Sequence, residues 1–133
     1  MSFYNLEDLE VYQLAESFGD EIWMTVNEWE YFAKDTVGKQ IVRSADSISA
    51  NIAEGYGRYH YKENRNFCYF SRGSIIETKS WLKKSKTRQL LSEEQFDLLY
   101  EKLQTIHIKL NAYLKFIGKS GNKSDQWTNE QLN

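Results

Sequence analysis

The sequence predicts an all-α protein, an antiparallel up-and-down four-helix bundle, and three observations carry that prediction. Apolar residues recur at three- and four-residue steps through four long stretches. No stretch shows strand-like alternation leading into a hairpin turn. The chain has no proline and only 7 glycines in 133 residues, so few backbone positions are forced out of a helix. A single domain of this length buries a core of ordinary size without disulfide or metal support.

The first helix is expected from about Leu9 to Val26, with Val11, Ala15, Phe18 and Ile22 as its stripe and Asn5 or Asp8 as N-cap. Glu7, Asp8 and Glu10 suit the positive end of its dipole. Residues 27–35 read as a connection whose Trp29, Tyr31 and Phe32 cover one end of the core. The second helix is expected from about Val37 to Ala53, stopped by left-handed glycine at Gly55-Tyr56-Gly57. The third begins near Tyr61 or Lys62 and ends near Arg88, carrying Phe67, Phe70, Ser74, Thr78, Trp81 and Ser85 at heptad-like steps, with Ile75 and Leu82 flanking. Ser92 and Gln95 form a capping box for the fourth. That helix has the cleanest stripe, Phe96, Leu99, Leu103, Ile106, Leu110, Tyr113, Leu114 and Ile117, and is expected to close at Gly118. The bundle therefore occupies residues 1–118. Residues 119–133 form a polar tail expected to be disordered, although Trp127 and Leu132 are able to dock.

The net charge of −2 conceals a segregation. Residues 1–36 hold nine acids and one base, whereas residues 37–90 hold eleven bases and four acids. Two readings are open: the acidic first helix attracts the basic central helices, inside a bundle or between subunits, or a basic surface meets an anionic partner. Candidate nucleic-acid contacts are Lys39, Arg43, Arg58, Lys62, Arg65 and Arg72, followed by Lys79, Lys83, Lys84, Lys86 and Arg88. Tyr56, Tyr59, His60 and Tyr61 interleave with some of these, as phosphate contact plus base stacking requires.

Catalytic groups are sparse. His60 and His107 lie far apart, and the Glu-x-x-His spacing of di-iron bundles is missing, so no metal or other cofactor is expected. Cys68 sits beside Phe67 and reads as a packed side chain. Gly55-Tyr56-Gly57-Arg58 follows a helix rather than a strand, which does not match a phosphate-binding loop. The chain reads as a non-enzyme. No apolar run is long enough to span a bilayer, and the start lacks a basic, apolar, cleavable pattern, so a soluble cytoplasmic protein is expected.

The second helix is the unusual one. Ile41, Ala45, Ile48 and Ile52 make its apolar stripe, flanked by Ser44, Ser47, Ser49 and Asn51, where surface helices ordinarily carry Lys, Glu or Gln. Small side chains allow close helix approach, and their polar atoms then need partners. Glu54 and Arg58 stand in the favourable order for an i, i+4 ion pair. With Ser74 and Glu77 from the third helix, the candidate polar network is Ser44, Ser47, Asn51, Glu54, Ser74 and Glu77. It either fixes register across the bundle or forms a ligand or partner site.

The run Gln40-Ile41-Val42-Arg43-Ser44-Ala45, leading to Ser47-Ile48-Ser49-Ala50-Asn51-Ile52-Ala53-Glu54-Gly55-Tyr56-Gly57-Arg58, resembles the signature of four-helix-bundle proteins encoded in bacterial 23S rRNA intervening sequences. Asp8-Leu9-Glu10-Val11-Tyr12-Gln13 and Gly73-Ser74-Ile75-Ile76-Glu77 agree, and the resemblance covers about residues 6–118. It implies a homopentameric ring of antiparallel bundles with a central pore, and no established activity. The accessory protein of diversity-generating retroelements is similar, which implies as the alternative a nucleic-acid-binding partner of a reverse transcriptase, using RNA or DNA. Self-association is the first partner expectation, and a polymerase-type partner the second.

Overall fold

The structure is a computed structural model and describes residues 5–120. Four long helices account for most of it: α1 (Glu10–Asn27), α2 (Lys39–Tyr56), α3 (Tyr61–Thr87) and α4 (Glu93–Ser120), with no strand among the described residues. Each helix packs on the next in the chain, and α1 also meets α4, so the four enclose one core. Leu9, Phe18, Ile22, Ile41, Ile48, Ile52, Ile75, Leu103, Ile106 and Leu110 fill it almost without exposure.

Pairings across the helices establish direction. Ser44 meets Thr78, Ile48 meets Ser71 and Gly55 meets Asn64, so α2 and α3 run antiparallel. Lys102 pairs with Glu21 at 2.6 Å and Lys109 with Glu10 at 2.6 Å, so α4 runs antiparallel to α1. Within the protomer, and among the described residues, the acidic first helix is thus ion-paired to lysines of α4 rather than to the basic central helices.

Several local expectations are revised. The N-cap of α1 is Leu9, not Asn5 or Asp8, which lie around a preceding 3₁₀ turn (Leu6–Asp8). Leu9 is fully buried, and burial of its side chain, rather than a polar cap, anchors the helix start. In the connection, Trp29 packs on the core, but Tyr31 and Phe32 are 78% and 79% exposed and cover nothing in the protomer. A helical turn (Tyr31–Ala33) and a π-helical turn (Lys34–Gly38) lead directly into α2.

The second helix does not stop at Ala53. It continues to Tyr56, and Gly57 keeps a right-handed φ of −75°. Gly55 is needed for contact instead: a Cβ there would lie 2.7 Å from Asn64 Oδ1 and 2.9 Å from Phe67 Cβ. The buried face of α3 is Asn64, Cys68, Ser71, Ile75, Thr78, Leu82 and Ser85. It keeps Thr78 and Ser85 of the expected stripe and takes in the flanking Ile75 and Leu82, whereas Phe70 is exposed. Polar residues stand at four of these seven positions. The left-handed residue that ends α3 is Gln89 (φ 62°), with Leu90 N–H donating to Ser85 C=O at 2.8 Å. Ser92 and Gln95 cap α4 reciprocally, at 2.9 and 3.1 Å. Gly118 does not end α4, which runs on to Ser120. The rest of the tail, including Trp127 and Leu132, lies outside the described residues.

Candidate functional site

Helices α2 and α3 meet along a seam of hydroxyls. Ser44 Oγ donates to Ile41 C=O at 3.2 Å and lies 2.8 Å from Thr78 Oγ1, which is 2.7 Å from Ser74 C=O. Two buried hydroxyls thus bridge the carbonyls of two helices. One turn along, Ser71 Oγ donates to Ile48 C=O at 2.8 Å. Further along, Asn64 Nδ2 donates to the phenolic oxygen of fully buried Tyr113 at 3.1 Å, tying α3 to α4. Cys68 lies in this layer, and burial pushes its thiol pKa up to about 12.

The six candidate network residues do not form one cluster. Ser44 belongs to the seam, and Ser74 reaches it through its carbonyl while its hydroxyl donates to Phe70 C=O. Ser47 and Asn51 bond back to their own helix, to Arg43 and Ser47 carbonyls. Glu54 pairs with Arg58 at 3.0 Å near the α2–α3 turn. Glu77 accepts from Arg43 and from the Trp81 indole, each at 3.2 Å. The residues that complete the seam, Thr78, Ser71, Asn64 and Tyr113, were not among those candidates. The available signal was the heptad spacing from Asn64 to Ser85, obscured by its polar members.

The six candidate basic residues separate as well. Lys39 and Arg43 open α2, whereas Arg58, Lys62 and Arg65 lie around its other end, more than about 20 Å away at 1.5 Å per residue. Lys39 pairs with Asp35 at 2.7 Å, Arg43 with Glu77, and Arg58 with Glu54 and, at 3.8 Å, Glu63. Lys62 is exposed, next to Tyr59, which is 94% exposed. Arg65 lies over the Tyr61 ring with its Nε buried and without a hydrogen-bond partner.

Arg72 points elsewhere, to the groove between α3 and α4, where it donates to Asn111 at 3.1 Å and covers Tyr69. Lys79 lies in the same groove, 2.6 Å from Gln104 Oε1 and 3.0 Å from His107 Nδ1. An ammonium can only donate, so Nδ1 accepts and the neutral imidazole carries its proton on Nε2. Lys79 and Lys83 both approach the Tyr100 ring. Among the described residues none of Arg72, Lys79 or Lys83 has a carboxylate partner. Burial and then Lys83 lower the Lys79 pKa, while burial, Lys79 and then Arg72 lower that of His107.

The opposite face, between α1 and α2, has the opposite sign. Asp46 sits against Gly19, where a Cβ would come within 2.8 Å of its Oδ1. Burial, then Asp20 and Glu16, raise the Asp46 pKa. Glu16 accepts from Ser49 at 2.7 Å, and among the described residues neither Asp20 nor Asp46 has a cation partner. At the far end of this face is a cavity of about 340 Å³ over Trp23, Val26, Gly38 and Val42, rimmed by Lys34 and Lys39. Among the described residues no group of acids, histidines and cysteine is arranged to hold a metal, and no helix is long and apolar enough to cross a membrane.

Comparison with known proteins adds two findings. The family described as 23S rRNA-intervening sequence protein matches residues 7–112. A solved structure of a protein with unknown function from the S23 ribosomal protein family of Bacteroides thetaiotaomicron VPI-5482 is similar in fold, with a TM-score of 0.72 at 23% identity. The match covers 79% of this chain and 98% of that one. No curated protein matches the sequence.

Proposed function

The chain belongs to the 23S rRNA-intervening sequence protein family, and on that footing we propose that it is a non-enzymatic, homo-oligomeric scaffold or adaptor of the cytoplasm. The observation that carries this reading is the apolar surface left outside the bundle. Trp23 and Met24 on α1, Tyr31 and Phe32 before α2, Phe70 and Ile76 on α3, and Leu98 and Ile108 on α4 are each more than half exposed. Single exposed apolar residues are ordinary, but large ones on three helices of so small a domain suit contact with further protein. The family resemblance supports a pentameric ring. The hydroxyl seam is satisfied within one protomer, so it serves register and leaves the outer faces for assembly.

Light scattering at micromolar concentration tests the reading. A particle of several times the 15.8 kDa chain mass is expected, and a stable monomer overturns the proposal. The second reading, a nucleic-acid accessory role, draws on Arg72, Lys79 and Lys83, cations without carboxylate partners among the described residues. It requires binding to structured RNA or DNA that weakens steeply with salt.

A further inference from the structure

We propose that protomers assemble head to tail, the carboxylate-bearing α1–α2 face of one docking on the cationic α3–α4 face of the next. This rests on the homo-oligomer reading and names the surfaces it uses. The two faces lie on opposite sides of the bundle, because α2–α3 and α1–α4 contacts separate them. One presents Glu16, Asp20 and Asp46, and the other Arg72, Lys79 and Lys83. Among the described residues neither cluster is ion-paired, and burial, then the like-charged neighbours, disfavours the charged forms of Asp46 and Lys79. A second copy supplies both missing partners at once.

Their heights along the bundle match. Asp46 abuts Gly19 on α1, and on α2 it lies between Ser44, which meets Thr78, and Ile48, which meets Ser71. Asp46 is therefore level with the stretch of α3 between Arg72 and Lys79, and Asp20 is level with Asp46. Docking needs no sliding along the helices, so each added copy brings no rise along the bundle axis. A two-fold dimer through either face would set like charges together. The net charge of −2 also favours a protein partner over a polyanion at the basic groove.

The test compares four chains by light scattering and sedimentation, with circular dichroism confirming helicity: the unaltered protein, Asp20→Lys with Asp46→Lys, Lys79→Glu with Lys83→Glu, and all four changes together. Each two-residue variant is expected to weaken assembly by about a hundredfold, and the fourfold charge exchange to restore it. If Asp46→Lys disturbs packing at Gly19, exposed Asp20→Lys alone replaces that arm. The unaltered oligomer is expected to loosen between about 0.05 M and about 0.5 M sodium chloride. An oligomer indifferent to salt and to every reversal overturns these surfaces while leaving the oligomer reading intact. A monomer under all conditions overturns that reading and this one with it. Loss of RNA binding, with assembly unchanged, on Lys79→Glu with Lys83→Glu assigns the groove to nucleic acid and overturns the docking.

Discussion

Ser44 and Thr78, thirty-four residues apart, place their hydroxyl oxygens 2.8 Å from one another in the buried contact between α2 and α3. Each is also tied to a carbonyl of its own helix, so the pair joins two backbones through side chains small enough to keep the helices close. Ser44→Ala or Thr78→Val each costs about 1 kcal/mol, because the surviving hydroxyl retains one helical carbonyl. The double variant is expected to be less destabilised than the sum, with a coupling of about 0.5–1.5 kcal/mol measurable by urea unfolding.

Gly55→Ala should behave unlike an ordinary helix substitution. Alanine improves helix propensity by about 1 kcal/mol, but here its methyl would collide with Asn64 and Phe67. Overpacking of this kind costs about 1–3 kcal/mol, so the net effect is destabilising and lowers the melting temperature. Gly118→Ala, with nothing within 4 Å, is the stabilising control.

Gln89 holds a φ of 62° at the end of α3. Left-handed backbone costs a residue with a side chain about 1 kcal/mol and glycine almost nothing. Gln89→Gly is therefore expected to stabilise the protein by about 0.5–1 kcal/mol, read as a higher denaturant midpoint.

Cys68 should resist thiol reagents in the folded protein and react only on unfolding, since its pKa is raised to about 12 by burial. The raised value makes the folded state hold its proton while the unfolded thiol, with a pKa of about 8.5, releases it. Stability from this group is whole below that pH and falls by about 1.4 kcal/mol per unit between there and about 12. Cys68→Ala is expected to remove that part of the alkaline slope, at the cost of a small cavity.

His107 gives the opposite dependence. Burial, Lys79 and Arg72 disfavour its charged form, so the unfolded chain takes up the proton first as pH falls. Its contribution is present above the unfolded value of about 6.5 and is lost on acidification below it. His107→Gln should flatten the unfolding midpoint against pH in that range.

Helix number, order and apolar periodicity were legible in the sequence because they depend on local spacing and on a proline-free backbone. The capping box at Ser92 and Gln95 was legible for the same reason, since both partners lie within one turn. What the residues alone left open depended on who faces whom. Gly55 reads as a helix stop until Asn64 is seen pressed against it, and Gln89 carries no mark of its left-handed turn. Part of the core face of α3 was hidden because Asn64 and Ser71 look like surface residues until a phenolic oxygen and a carbonyl satisfy them. Charge composition showed an acidic start and a basic middle, but only the tertiary arrangement placed Asp20 and Asp46 on the face opposite Lys79 and Lys83. Spacing along one helix does not say which polar atom it meets on another, and for that reason the packing alone decided those pairings.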